Sequence, residues 1–169
     1  MTVDDIMTRA QVYSGQPMSL RLALTLINDC MNVLCNLYDT ACQTDEVVCT
    51  ITSKPYEYEL DEDVLVVKNV YHDNRKTHYK VRNDKIIFND QGTYNILLLR
   101  TPDEVETQYD EPEINRAYDK CIVQYLVAHT TRPPSKDVLD EFYQMASVVH
   151  FRLKQKKKSN RRMPAPIWR

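Results

Sequence analysis

Glycine is almost missing from this chain: its 169 residues contain two, Gly15 and Gly92. Loops of the GxGxxG and GxxxxGK types need several glycines to bring backbone amides against a phosphate, so nucleotide binding by those routes is excluded. Long apolar runs are also missing. None reaches the roughly 18 residues of a membrane-spanning helix, and Met1-Thr2-Val3-Asp4-Asp5 carries no basic region ahead of an apolar stretch, so a soluble, uncleaved chain is expected. The five cysteines (Cys30, Cys35, Cys42, Cys49, Cys121) are odd in number and contain no CxxC pair, which argues against a secreted disulfide framework and for reduced thiols made in a cytoplasm. A zinc site joining them to His72, His78, His129 or His150 would normally show paired ligands about two to four residues apart, and there is no such pair. HExxH, GxSxG and EF-hand patterns are likewise absent. The expectation is no metal, no cofactor and no catalysis.

What is present suits one globular domain with a small inserted module: 43% of residues are hydrophobic and 27% charged. The net charge of -2 conceals a division along the chain. Eight of the 22 Lys and Arg residues, and none of the 24 acids, fall between Phe151 and Arg169, leaving a body near -10 and a tail near +8. Such a chain can attract copies of itself, an acidic partner or nucleic acid.

The pattern predicts an α+β fold: a helical bundle made of a short helix, a long helix and two C-terminal helices, with an inserted antiparallel β module and an extended basic C-terminal arm. Thr2 to Asp5 has the form of a capping box, opening a helix over about 2–13 that Ser14-Gly15 ends. Pro17 can occupy the first turn of a second helix over about 17–39. There Leu20, Ala23, Ile27, Cys30, Leu34 and Leu37 repeat at three and four, with Leu22, Leu26 and Val33 beside the stripe. That arc is wide for one buried face, which makes Leu22, Leu26 and Val33 candidates for a subunit interface as well as for a central core helix.

Over about 46–100 the period falls to two, with segments rich in Val, Ile and Tyr such as Val47–Ile51, Val64–Val67 and Thr93–Leu99. Asp73-Asn74 and Asn83-Asp84 can supply left-handed turns. Helical sequence returns at about 113–131 and 135–155, broken by Arg132-Pro133-Pro134, and Ser135 can cap the last helix. Residues 1–155 then form the domain and 156–169 the arm. Pro164 and Pro166 bar a helix there, and residues 158–169 fully extended reach roughly 40 Å, enough to touch another chain.

Charge clusters admit two readings each. Glu57, Glu59, Asp61, Glu62 and Asp63 could supply paired carboxylates, but the alternation Tyr56-Glu57-Tyr58-Glu59-Leu60 is that of a strand with a solvated face. Asp103, Glu104, Glu106, Asp110, Glu111 and Glu113 can be plain solvation near a helix start or a docking site for a basic surface, such as a neighbour's arm. The arm, with Lys154, Lys156, Lys157, Lys158, Arg161, Arg162 and Arg169, could be a solubilising tail. Its terminal Ile167-Trp168 favours instead an anchor for a partner's pocket. The competing function is a nucleic-acid-binding accessory protein using the same cations on phosphates, with steep salt dependence as its mark.

The order of these pieces, with Tyr56 to Tyr71, then Tyr79-Lys80-Val81-Arg82-Asn83-Asp84-Lys85-Ile86-Ile87-Phe88, then Gly92-Thr93-Tyr94-Asn95-Ile96 and a closing helix Tyr118 to Ala128, resembles the head-to-tail connector (adaptor) proteins of tailed bacteriophages. The likeness lies in a Y-x-L-P-x-D strand entry, a V-x-V-Y strand, a Y-x-I-x-G-D-K-I hairpin and a G-T-Y strand. It covers roughly residues 2–153. Asp61 stands where the family often has proline, and Asn83 where it often has glycine. The resemblance implies a structural virion protein of the head-to-tail junction: a homo-oligomeric, dodecameric ring on the portal protein, facing the tail or a further neck protein, with DNA passing through its lumen without specific binding. His72, Asp73, Asn74, Arg75 and Lys76 would then be a loop available on the tail side.

Overall fold

The computed structural model describes residues 1–130 and 133–160, with side chains as far as Lys157. The protein is mixed α+β, and its chain divides into two compact units: a helical one from residues 1–41 and from 102 onward, and a β unit, residues 42–101, inserted between them.

In the helical unit, α1 (Val3–Ser14) opens on a reciprocal cap: the Asp5 amide donates to Thr2 Oγ1 at 3.3 Å, and the Thr2 amide donates to Asp5 Oδ2 at 3.2 Å. Two orphan amides of the first turn are thereby satisfied. Gly15, at φ 65°, closes the helix with its amide on the Gln11 carbonyl at 2.8 Å, a left-handed position where glycine carries no steric cost. Helix α2 (Leu20–Leu37) starts three residues later than expected, because Ser19, not Pro17, supplies the cap and accepts from the Leu22 amide at 3.3 Å. It also stops earlier. Tyr38 turns extended at φ -136°, its ring set 5.0 Å from that of His150 and 6.3 Å from that of Tyr118.

The expected helix over 113–131 is shorter. A 3-10 turn, Arg116–Tyr118, capped by Asn115, leads into α3 (Asp119–Ala128), since Pro112 and the Asn115 side chain favour a turn over an early helix start. Helix α3 packs against α1, α2 and α4. Tyr118, Cys121, Ile122 and Leu126 are fully buried there, with Ile6, Ile27, Leu34 and Phe142 from the other helices. Helix α4 (Lys136–Asn160) runs five residues beyond the expected end at Gln155. Lysine is a good helix former, and no breaker occurs before Pro164, so Lys156 to Asn160 continue the helix instead of opening the arm.

In the β unit, β1 (Thr44–Ile51), β7 (Gly92–Arg100), β3 (Val64–His72) and β4 (Arg75–Lys76) form one antiparallel sheet in that spatial order. β2 (Glu57–Glu59), β6 (Lys85–Ile87) and β5 (Lys80–Arg82) form a second. The two share a core of Val70, Ile86, Phe88, Tyr94, Ile96 and Leu98. Alternation places Tyr94, Ile96 and Leu98 on one face of β7, the period-2 pattern of a strand with one buried side. Both tight hairpins turn through left-handed residues, Asp73 (φ 50°) with Asn74 (φ 61°), and Asn83 (φ 49°) with Asp84 (φ 57°). Their short polar side chains tolerate a conformation that a β-branched residue would not.

Candidate functional site

The segment 72–76, expected as an exposed loop with a turn at Asp73-Asn74, is a tight hairpin. His72 pairs with Arg75 and Tyr71 with Lys76, leaving Asp73 and Asn74 as the turn. His72 is half-buried, its ring 4.8 Å from that of Tyr94, while Asp73, Asn74, Arg75 and Lys76 are exposed, and all of them but Asn74 line an open cavity of about 480 Å³. The hairpin is a mixed-charge turn.

The acidic cluster is largely engaged in structure. Glu57 lies 3.4 Å from Lys85 Nζ on the neighbouring strand. Asp61 and Asp63 lie 3.0 and 2.6 Å from the guanidinium of Arg100, which also stands 3.0 Å from Asp45. The charge-assisted bonds that Arg100 donates to Asp63 and Asp61 raise its pKa, and the group ties the ends of β1, β3 and β7 together. Alternation in the sequence places Glu57 and Glu59 correctly on one face; it contains no signal for Arg100, whose three partners lie between about 37 and 55 residues away.

A polar network absent from the sequence expectations joins the segment that follows α2, the 3-10 turn and α4. Thr40, 4% exposed, has its hydroxyl 2.6 Å from Tyr118 Oη and 2.9 Å from His150 Nδ1. Asp39 Oδ1 stands 3.8 Å from His150 Nδ1 and 3.6 Å from Lys154 Nζ. Burial, seconded by Lys154, lowers the His150 pKa, and Asp39 partly opposes this. Burial pushes the Tyr118 phenol up to about 12. Lys154, expected at a partner interface, is thus already paired within its own protomer.

Of the other expected partner-binding residues, Lys156 and Lys157 are exposed on the last turns of α4. The Lys158 side chain, and Arg161, Arg162, Ile167, Trp168 and Arg169, lie outside the described residues. Leu26, expected at a subunit interface, is only 7% exposed and belongs to the core; Leu22 and Val33 are half-buried. The wide apolar arc of α2 is therefore filled mostly from within the protomer, and burial of one leucine of this kind contributes about 1.5–3 kcal/mol. Cys30, Cys35, Cys42 and Cys121 are buried and Cys49 is half-buried. Burial raises the thiol of Cys30 well above its ordinary value and that of Cys121 to about 11. Among the described residues no three His, Cys, Asp or Glu side chains are grouped to hold a metal ion, and no helix is long and apolar enough to cross a membrane.

The exposed apolar surface is uneven. In the helical unit Val12, Tyr13, Val148, Phe151 and, in the acidic segment, Tyr109 stand out from the surface. Comparison with family models and with curated proteins finds no match for this chain.

Proposed function

We propose that this protein is a structural, non-enzymatic subunit of the neck of a tailed bacteriophage, forming a homo-oligomeric ring that connects the portal to the tail. The observation that carries this reading is the chain order: two helices, a compact antiparallel β unit at residues 42–101, then two helices. That is the order in which the resembled connector family arranges its parts. The hairpin of β5 and β6, one of the stretches that carry the likeness, supplies further support, because Asn83-Asp84 makes the left-handed turn where the family often has glycine.

In this reading the four helices form the bundle that meets its neighbours around the ring. The 72–76 hairpin is available to the tail side, and the basic C-terminal arm grips the portal or the adjacent subunit. Residues 156–160 of the basic segment continue α4. DNA passes through the lumen without specific contacts, consistent with a body charge near -10.

The test is imaging and mass measurement of the full-length chain with a matched portal ring, beside a version ending at Asn160, which leaves α4 whole. Decoration of the portal by the full-length chain and its loss on truncation support the assignment. Failure of both forms to bind portal, with a low-salt shift of DNA by the full-length chain, replaces it with the nucleic-acid-binding function.

A further inference from the structure

Two open pockets of about 270 and 660 Å³ share Lys120 and Met145, and so form one groove along α1, α3 and α4. Its apolar lining includes Val123, Met145 and Val148, with Tyr13, 72% exposed, on the α1 side. Arg9, Lys120 and Arg152 also line it, and none of them is ion-paired among the described residues. Glu141 is the carboxylate of the lining, and it accepts a hydrogen bond from Gln124 at 2.8 Å. On a body with net charge near -10, three uncompensated cations around an apolar groove suit an acidic partner with an aromatic anchor.

The chain itself presents such a segment. Tyr109 is 77% exposed, more than any other large hydrophobic side chain among the described residues. Asp103, Glu104 and Glu106 beside it are exposed and not ion-paired among the described residues. The turn that carries Tyr109 is rigid: the Asp110 carboxylate accepts from the Glu106 and Thr107 amides, both at 2.8 Å, and from Thr107 Oγ1 at 2.7 Å. Backbone bonds from Val3 to Asp110 (2.9 Å) and Asp4 to Gln108 (3.0 Å) hold it at the N-terminal end of α1. Arg9 and Tyr13 lie roughly 7–14 Å further along that helix, so the segment and the groove are separate patches of one protomer. Two separate complementary patches are what a head-to-tail contact between identical chains requires.

We propose that Tyr109 of one copy, flanked by Asp103, Glu104 and Glu106, seats in the groove of a second copy between Arg9, Lys120 and Arg152. This rests on the ring assignment and names the contact that builds it. The basic arm is not the occupant, because the same three cations repel it. The contact weakens with added salt, as pairing between exposed charges does.

Sedimentation velocity and native mass spectrometry of the full chain test this, with Tyr109→Ala as one variant and Lys120→Glu/Arg152→Glu as another. All three side chains are exposed, so unchanged circular dichroism melting verifies the fold. Each variant alone should associate about 30-fold more weakly than wild type, the loss expected of an aromatic hot spot. An equimolar mixture should recover a dimer and stop there, since one intact segment meets one intact groove and neither chain can extend it. If each variant assembles as wild type does, or the mixture stays monomeric, the contact is wrong while ring formation by the wild type still stands. If the wild type is monomeric both free and with the portal, the ring assignment falls and takes this contact with it.

Discussion

Arg100 Nη1 donates to both carboxylate oxygens of Asp63, at 2.6 and 2.7 Å, while Nη2 donates to Asp61 at 3.0 Å. One cation therefore neutralises a corner of the β unit where three aspartates converge. Replacing it with an apolar side chain of similar length leaves those carboxylates to repel one another. Arg100→Met should lower stability by about 1–2 kcal/mol, between the values typical of exposed and buried pairs, because the arginine is mostly covered and its partners are not. The shift in urea midpoint measures it, and Asp63→Asn in the same background should restore part of the loss.

Gly92 is held by a neighbour as well as by its backbone. At φ 157° it adopts a conformation that L side chains rarely take, and a Cβ there would lie 2.5 Å from His72 Nε2. The imidazole, partly exposed and with its ring 4.8 Å from that of Tyr94, must shift to make room. Gly92→Ala should destabilise the protein by about 1–3 kcal/mol. Gly92→Ala combined with His72→Ala should recover the steric part and leave the backbone part, so thermal melts of the two variants separate the causes.

His150 gives the helical unit a pH dependence whose sign follows from its environment. Burial, with Lys154 nearby, lowers its pKa below the ordinary 6.5, so the unfolded chain takes up the proton first as pH falls. Its contribution to stability is complete above about pH 6.5 and is lost as pH falls from there through the folded value. The groups facing it are Thr40, Tyr38, Asp39 and Lys154. His150→Gln should flatten the fall in stability between neutral and mildly acidic pH, read by denaturant titration at several pH values. A wild-type slope that survives the substitution unchanged would overturn the assignment.

Thiol chemistry should follow burial. Cys30 and Cys121 are fully buried with raised pKa values, so both should resist alkylation in the native protein and react only on unfolding. Mass spectrometry after timed iodoacetamide treatment, with and without denaturant, checks this site by site.

The β unit is the most legible part of the sequence, because strand alternation and paired Asn and Asp turns are local signals. β7 and both left-handed turns lie where the pattern predicts. Helix ends are less legible. Ser19 displaces Pro17 as the start of α2, Asn115 delays α3, and α4 runs on through its lysines to Asn160. Each outcome depends on which of two acceptable caps or turns the tertiary structure favours. The long-range pairings, Arg100 with Asp45 and Thr40 with His150, are invisible to periodicity, because residues far apart in the chain meet only once the units have folded. The α2 arc leaves its choice open for the same reason: of the two readings it allows, packing by α1 and α3 places Leu26 in the core.

β1 and β7 are antiparallel neighbours, with Thr44 opposite Leu99. The chain therefore enters and leaves the β unit on adjacent rungs of one ladder, about 5 Å apart. A short turn could bridge that gap, so the unit is topologically a cassette that can be shortened, lengthened or exchanged without rerouting the helices around it. A lineage could then re-specify the β unit while the residues that pack α1 to α4 stay the same.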